Sequence, residues 1–221
     1  MRKQVSGGTI LITGFGPFPG APFNPTIALV RRLARLRRPA LAKMEIIPHI
    51  FPTGYAAVDR ELPALIARHK PDALLMFGLA ARAKTVRIET QARNSLARRP
   101  DAGGSVPAGR AIALRRPARL LLPVPARRLL AAARLAGVPV ALSRDAGSYL
   151  CNYLCWRAAA AAAKTGGPRL AAFVHVPPIR RNPRPRRRRK PHALTLADLI
   201  RAGAALLVAM SAGLGSARNH L

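Results

Sequence analysis

An α/β fold in a single domain, built on a mainly parallel sheet, is what this sequence predicts. Three observations carry the prediction. Short β-branched or apolar runs, such as Thr9–Thr13 (TILIT) and Leu170–Val176 (LAAFVHV), alternate along the chain with longer amphipathic stretches. Several of these runs end in glycine or a polar turn, as strands feeding crossover helices do. The chain has 221 residues, and 50% of them are hydrophobic, enough to bury one sizeable core.

The elements follow in order. Thr9–Thr13 reads as a strand buried on both faces. Gly14–Gly20 (GFGPFPG) is a tight loop without the Lys-Ser/Thr of a P-loop or the glycine spacing of a dinucleotide fingerprint. Phe15 and Phe18 in that loop suggest a small apolar binding wall, at the strand edge where open α/β sheets bind ligands. Asn24 as N-cap and Pro25 at the first helical position start a helix running to about Arg38. A strand over Met44–Ile50, a helix over Thr53–His69 and a strand over Asp72–Gly78 come next. Thr85–Ala92 alternates like a partly exposed strand and carries Glu89. Arg93–Pro117, rich in Gly, Pro, Arg and Ser, reads as a long irregular segment of the kind that shapes sites.

Pro125–Gly137 is a helix stopped by its glycine, and Val138–Ser143 a fourth strand of the parallel series. Ser148 reads as the N-cap of a helix that carries Cys151 in its first turn and continues through Ala158–Ala163. After the strand Leu170–Val176, a capping box at Thr195–Asp198 opens the last helix, to about Met210.

Composition bounds the function. Lys and Arg number 38 against 8 Asp and Glu, a net charge of +30, which raises a nucleic-acid or membrane-surface hypothesis. Aromatic residues are only 5%, so little stacking surface exists for single strands. Two cysteines four residues apart make a poor disulfide framework and fit a reduced, cytoplasmic setting. The basic N-terminus leads into a run that reads as a first strand and not as a signal peptide. The nearest approach to a membrane span, Ala202–Ala212, is too short, so no membrane association is expected.

Three residues at ends of sheet elements could work together. Cys151 in a first helical turn sits where amides and the helix dipole favour a thiolate. His175 near a strand end could be its base, and Glu89 could orient that base. Singly, each has a bland reading: a buried core cysteine, a satisfied histidine, a surface glutamate paired with arginine. Together they supply each part an activated thiol requires. Cys151, Cys155 and His175 match no common zinc spacing, and the chemistry needs neither metal nor cofactor.

The blocks TILITGFGPFPG with Asn24-Pro25, RIETQARN, DAGSYLCN and FVHVP, in this order, resemble the pyroglutamyl peptidase I family, the pyrrolidone-carboxylate peptidases among the cysteine peptidases. The resemblance runs from about Thr9 to the last helix. It implies a twisted sheet flanked by helices on both faces, and removal of an N-terminal pyroglutamate (5-oxoproline) from peptides. By position it implies Cys151 as nucleophile, His175 as general base and acid, and Glu89 as third member. Phe15 and Phe18 match the family's pyrrolidone-pocket phenylalanines, and homo-oligomeric assembly is implied. Cys155 and Trp156 match no catalytic position and read as helix packing. The sequence departs from the family at Pro19 (GFGPFPG for GFGPFGG), over Gly78–Lys84 (GLAARAK), and in TQARN for the commoner RVAIN.

Pro177–Pro191 (PPIRRNPRPRRRRKP) reads as a mobile loop within the domain, because prolines and like charges oppose compaction. Two rival functions remain at this level. One is a weakened family member whose basic surface and Arg-rich loop bind nucleic acid or acidic partners. The other is a redox protein using Cys151 and Cys155, for which i,i+4 spacing on one helix gives awkward disulfide geometry.

Overall fold

The computed structural model describes residues 7–179 and 194–216. Most of the arginine-rich loop over 177–191 therefore lies outside the described residues. A six-stranded sheet organises the rest, in the order β2-β1-β3-β8-β4-β7. Its strands are β1 (Gly8–Phe15), β2 (Met44–Phe51), β3 (Ala73–Leu79), β4 (Val86–Glu89), β7 (Val140–Ser143) and β8 (Leu170–Val176). A two-stranded ribbon pairs β5 (Gln91–Arg93) with β6 (Arg119–Leu121). The helices are α1 (Pro25–Ala34), α2 (Tyr55–His69), α3 (Ala126–Leu135), α4 (Leu150–Ala162) and α5 (Leu196–Ser216).

Period-two alternation assigns the two faces of the sheet. Ile10, Ile12, Leu75, Phe77, Val86, Ile88, Ala172 and Val174 point into a core shared with α1, α3 and α5. Leu11, Phe15, Leu74, Met76, Ala171 and Phe173 point the other way, into a core shared with α2 and α4. By the same parity Glu89 and His175 project into the α2/α4 layer.

Local chemistry explains most boundaries. The Asn24 carboxamide oxygen accepts from the Thr26 amide, and Pro25 follows, so α1 starts as predicted. It ends at Ala34 and not near Arg38, because Arg38 precedes Pro39 and is held extended (φ −131°, ψ 138°). Gly137 at φ +69° stops α3. Pro48 is tolerated in β2 because that strand lies at the sheet edge. At α5, Thr195 N–H donates to Asp198 Oδ2 (2.8 Å) and Asp198 N–H to Thr195 Oγ1 (3.2 Å), a closed capping box.

Three expectations change. Val140–Ser143 is not part of the parallel series. It runs parallel to β4, and β4 runs antiparallel to β8, so β4 and β7 are reversed against the other strands. The predicted strand Thr85–Ala92 also breaks at Thr90, whose N–H and hydroxyl both donate to the Ser143 carbonyl (2.8 and 3.0 Å). The last helix outruns the predicted end at Met210. From Leu196 to Gly215 it is long and apolar enough, by length and composition, to cross a membrane. Its packing against α1 and α3 accounts for that apolar character.

Candidate active site

The reversal of β4 sets the site. In the antiparallel pairing, Arg87 lies opposite His175 and Glu89 opposite Phe173. Glu89 and His175 are thus diagonal neighbours on one face, within reach of each other's side chains. His175 Nδ1 and Glu89 Oε1 are 2.9 Å apart, with Glu89 fully buried. The imidazole also stacks edge-on against Phe173, with ring centroids 5.0 Å apart. The ring is held on two sides, and its Nε2 is left for the helix above.

That helix is α4. Cys151 is its second residue, in the first turn as predicted, and is almost fully buried. Its N-cap is not Ser148, as the sequence suggested, but Tyr149, whose side chain makes no capping bond. The turn before it is closed locally: Gly147, at φ +83°, donates its N–H to Asp145 Oδ1 (2.9 Å), and Asp145 donates to Ser143 Oγ (3.2 Å). No side-chain cap bond is made at the start of α4, where the first-turn amides of a helix have no partner within it.

Electrostatics tie the thiol to the ring. Burial alone disfavours the His175 imidazolium. The charge and hydrogen bond of Cys151, with those of Glu89, outweigh burial and push the imidazole up to about 9. The ring thus keeps its proton across the neutral range when the thiol is ionised. Cys155 has the opposite setting. It is fully enclosed, and burial, then the Glu89 and Cys151 charges, push its thiol well above the ordinary range. Both cysteines are free thiols; Cys151 borders a cavity, whereas Cys155 has no exposed surface.

The cavity is about 350 Å³ and is bordered by Phe18, Leu79, Arg99, Tyr149, Cys151 and His175, among others. Phe15 does not border it. Phe15 is fully buried behind Phe18, with ring centroids 5.8 Å apart, and supports it from the core. Tyr149 faces Phe18 at 6.1 Å and is a wall residue the sequence reading missed. Its signal was its place two residues before the nucleophile candidate. Arg99, also missed, lies in the segment read as irregular and stacks 4.9 Å from the Tyr149 ring centre. A larger cavity of about 570 Å³ between α2 and α4, bordered by Asp59, Leu62, Arg157 and Lys164, contains no nucleophile beside a base. Chemistry selects the smaller one.

The Arg93–Pro100 segment is stitched to the start of α4. Asn152, fully buried, accepts from Arg93 N–H (2.8 Å) and donates to the carbonyls of Arg93 (2.8 Å) and Ser95 (3.1 Å). Ala97 N–H donates to the Ser148 carbonyl (2.7 Å), and Tyr149 O–H to that of Pro100 (2.8 Å). Asp101 continues the stitching to α2 by accepting the Tyr55 amide (3.1 Å). These bonds fix one wall of the cavity relative to the thiol. Among the described residues, no three His, Cys, Asp or Glu side chains gather as a metal centre would require.

The chain has relatives in sequence and in fold. The family model described as pyroglutamyl peptidase matches residues 8–212. A pyrrolidone-carboxylate peptidase of Thermococcus onnurineus is 33% identical over 169 residues, covering 76% of this chain and 82% of that protein. One from Clavibacter michiganensis is 33% identical over 170 residues, covering 76% and 78%. Among solved structures, Bacillus amyloliquefaciens pyroglutamyl peptidase I superposes with a TM-score of 0.78 at 27% identity, covering 93% of this chain and 97% of that one. The pyrrolidone carboxyl peptidase from Thermococcus litoralis gives 0.81 at 27% identity, covering 92% and 93%.

Proposed function

From the premise that the chain belongs to the pyroglutamyl peptidase family, we propose that it removes N-terminal pyroglutamate from peptides, with Cys151 as nucleophile, His175 as base and acid, and Glu89 as orienter. One observation supports this most. The buried Cys151–His175–Glu89 array opens into a cavity that has apolar walls, an arginine at its rim and, among the described residues, no carboxylate.

The steps follow from the groups present. His175 takes the Cys151 proton, and the thiolate adds to the carbonyl that joins pyroglutamate to the next residue. The oxyanion forms in front of the uncapped first turn of α4, where amide donors and the helix dipole stabilise it. The imidazolium gives its proton to the leaving amine as the C–N bond breaks, which leaves a pyroglutamyl thioester on Cys151. His175 then deprotonates water, water adds to the thioester, and the thiolate departs. The proton returns, and free pyroglutamate is released. Glu89 holds Nδ1–H throughout, so Nε2 stays aimed at the reacting atoms.

Substrate choice follows from charge. A pyroglutamyl residue carries a neutral lactam where other peptides carry an ammonium. A cavity walled by Phe18 and Tyr149, with Arg99 at its rim, offers an ammonium no counter-charge. A pyroglutamyl reporter amide is expected to be hydrolysed, and the prolyl analogue, with a charged ring nitrogen, to react at least about 100-fold more slowly in kcat/KM. Comparable rates on both would contradict the reading. Homo-oligomeric assembly, implied by the family, and a cytoplasmic setting, supported by two free thiols, belong to the same reading.

A further inference from the structure

The layer opposite the active site has a charge distribution that peptide hydrolysis does not use. We infer that the outer surface of the α1/α5/α3 layer is a docking face for duplex nucleic acid, held through its phosphate backbone.

The first observation is that the chain's carboxylates are already occupied. Of its 8 acidic residues, Asp59, Glu61, Asp72, Glu89, Asp145 and Asp198 are in ion pairs. Asp101 is spent on the amides of Tyr55, Gly103 and Ser105, and Glu45 meets the Thr9 hydroxyl. Against 38 Lys and Arg, little internal counter-charge is left, so most of the positive charge faces outward to solvent and external anions.

The second observation is directional. α1, α5 and α3 pack on the same side of the sheet, with α5 between the other two. At the end of α1, Arg31, Arg32 and the C-cap residue Arg35 are exposed, and positions i, i+1 and i+4 of a helix lie within about 100° of each other. On α3, Arg127, Arg128 and Arg134 are exposed. The one acidic residue on these three helices, Asp198, is paired with Arg201 of its own helix. By contrast, α2 on the opposite layer carries Asp59 and Glu61 among its basic residues.

The third observation is shape. Between the two arginine rows α5 exposes Ala197, Arg201, Ala212 and Gly215; the Arg128 guanidinium reaches to Gly213, and Arg201, paired with Asp198, is the large exposed side chain on this stretch and carries the same sign of charge. Helices pack roughly 8–10 Å apart, which puts the rows on the order of 16–20 Å from each other across α5. That span bridges a groove about 12 Å wide and lets each row meet one strand's phosphates. Guanidinium groups suit phosphate by their bidentate geometry. No aromatic residue lies on α1, α3 or α5, so the face lacks the stacking surface that single strands use. The partner chemistry is therefore double-stranded and sequence-independent.

The test uses the full chain and a fluorescein-labelled random-sequence DNA duplex, followed by anisotropy across a salt series. A triple variant, Arg31→Gln, Arg32→Gln and Arg35→Gln, is compared with a triple on the opposite layer, Arg60→Gln, Arg68→Gln and Lys164→Gln. Both remove the same formal charge and leave the active-site residues untouched. The α1 triple is expected to weaken binding about tenfold or more and to flatten the log–log salt dependence by roughly 2–3, since each phosphate contact contributes about 0.9. The control triple is expected to change that slope by less than about 1. Equal losses in both triples would overturn the inference, as would an unchanged slope in the α1 triple. Binding to anionic phospholipid vesicles without duplex binding would overturn it in favour of a membrane surface.

Discussion

Cys151→Ser is expected to lower kcat/KM on a pyroglutamyl reporter amide by about three orders of magnitude or more, whereas Cys155→Ser keeps most of the activity. The difference lies in what each sulfur meets. Cys151 borders the cavity beside an imidazole pushed up to about 9. A serine hydroxyl there is far harder to ionise, and the same ring cannot activate it equally. Cys155 is sealed in the core beside Leu154 and Trp156, with its thiol pushed well up by burial. A buried serine hydroxyl there costs about 1–3 kcal/mol of stability and leaves the reacting atoms alone. Glu89→Gln completes the series. Glutamine keeps the shape and one oxygen to accept from His175 Nδ1–H, so the fold is expected to lose far less than the activity does. Turnover nevertheless falls by about 100-fold or more, because the charge that stabilises the imidazolium is gone. A large loss of activity with a small change in melting temperature would identify Glu89 as a working group and not a structural one. Equal losses for the two cysteine variants would remove Cys151 from its role.

Gly78→Ala is expected to be the next most damaging change. Gly78 lies beside His175 in the β3·β8 pairing and faces the thiol. A Cβ built there comes within 2.7 Å of Cys151 Sγ and 2.7 Å of Phe173 Cζ. Real Cβ contacts do not tolerate such distances, so the sulfur or the ring must move. Phe173 is fully buried and supports the His175 ring, which limits its freedom. Overpacking of this kind costs about 1–3 kcal/mol. A shift of about 1 Å in the nucleophile costs on the order of 100-fold in rate. Activity measured per folded molecule should therefore drop far more than the melting temperature does. Near-normal kcat with a lowered melting temperature would mean that the nucleophile does not need that gap.

Much of the architecture is legible because it depends on neighbours in sequence. The Asn24-Pro25 start of α1, the Gly137 stop of α3 and the Thr195/Asp198 box each depend on residues a few positions apart. The bounds of β8 match the apolar run itself. What the sequence conceals depends on pairings across long separations. Nothing local in Val86–Glu89 says that it runs against β8, yet that reversal puts Glu89 within bonding distance of His175. Ser148 has the residue type of an N-cap, but its carbonyl is taken by the Ala97 amide, and the helix starts one residue later. Phe15 and Phe18 look equivalent in GFGPFPG. Phe15 ends β1 and points into the core, while Phe18 sits in the loop beyond and meets the cavity. Tyr149 and Arg99 become wall residues only because the Arg93–Pro100 segment folds along the start of α4. Glu89, Cys151 and His175 can be grouped from the sequence because each stands at or next to the end of an element, the edge at which an α/β sheet gathers its polar side chains.

The central claim, that the Cys151 thiolate carries the pyroglutamyl group, is tested most directly by trapping the intermediate. Protein mixed with a pyroglutamyl ester, quenched in acid within the first turnovers and digested, should yield the peptide containing Cys151 and Cys155 heavier by one pyroglutamyl group. Fragmentation should place the addition on Cys151, and the Cys151→Ser variant should show none. An unmodified peptide during active turnover, or an addition on Cys155, would contradict the account.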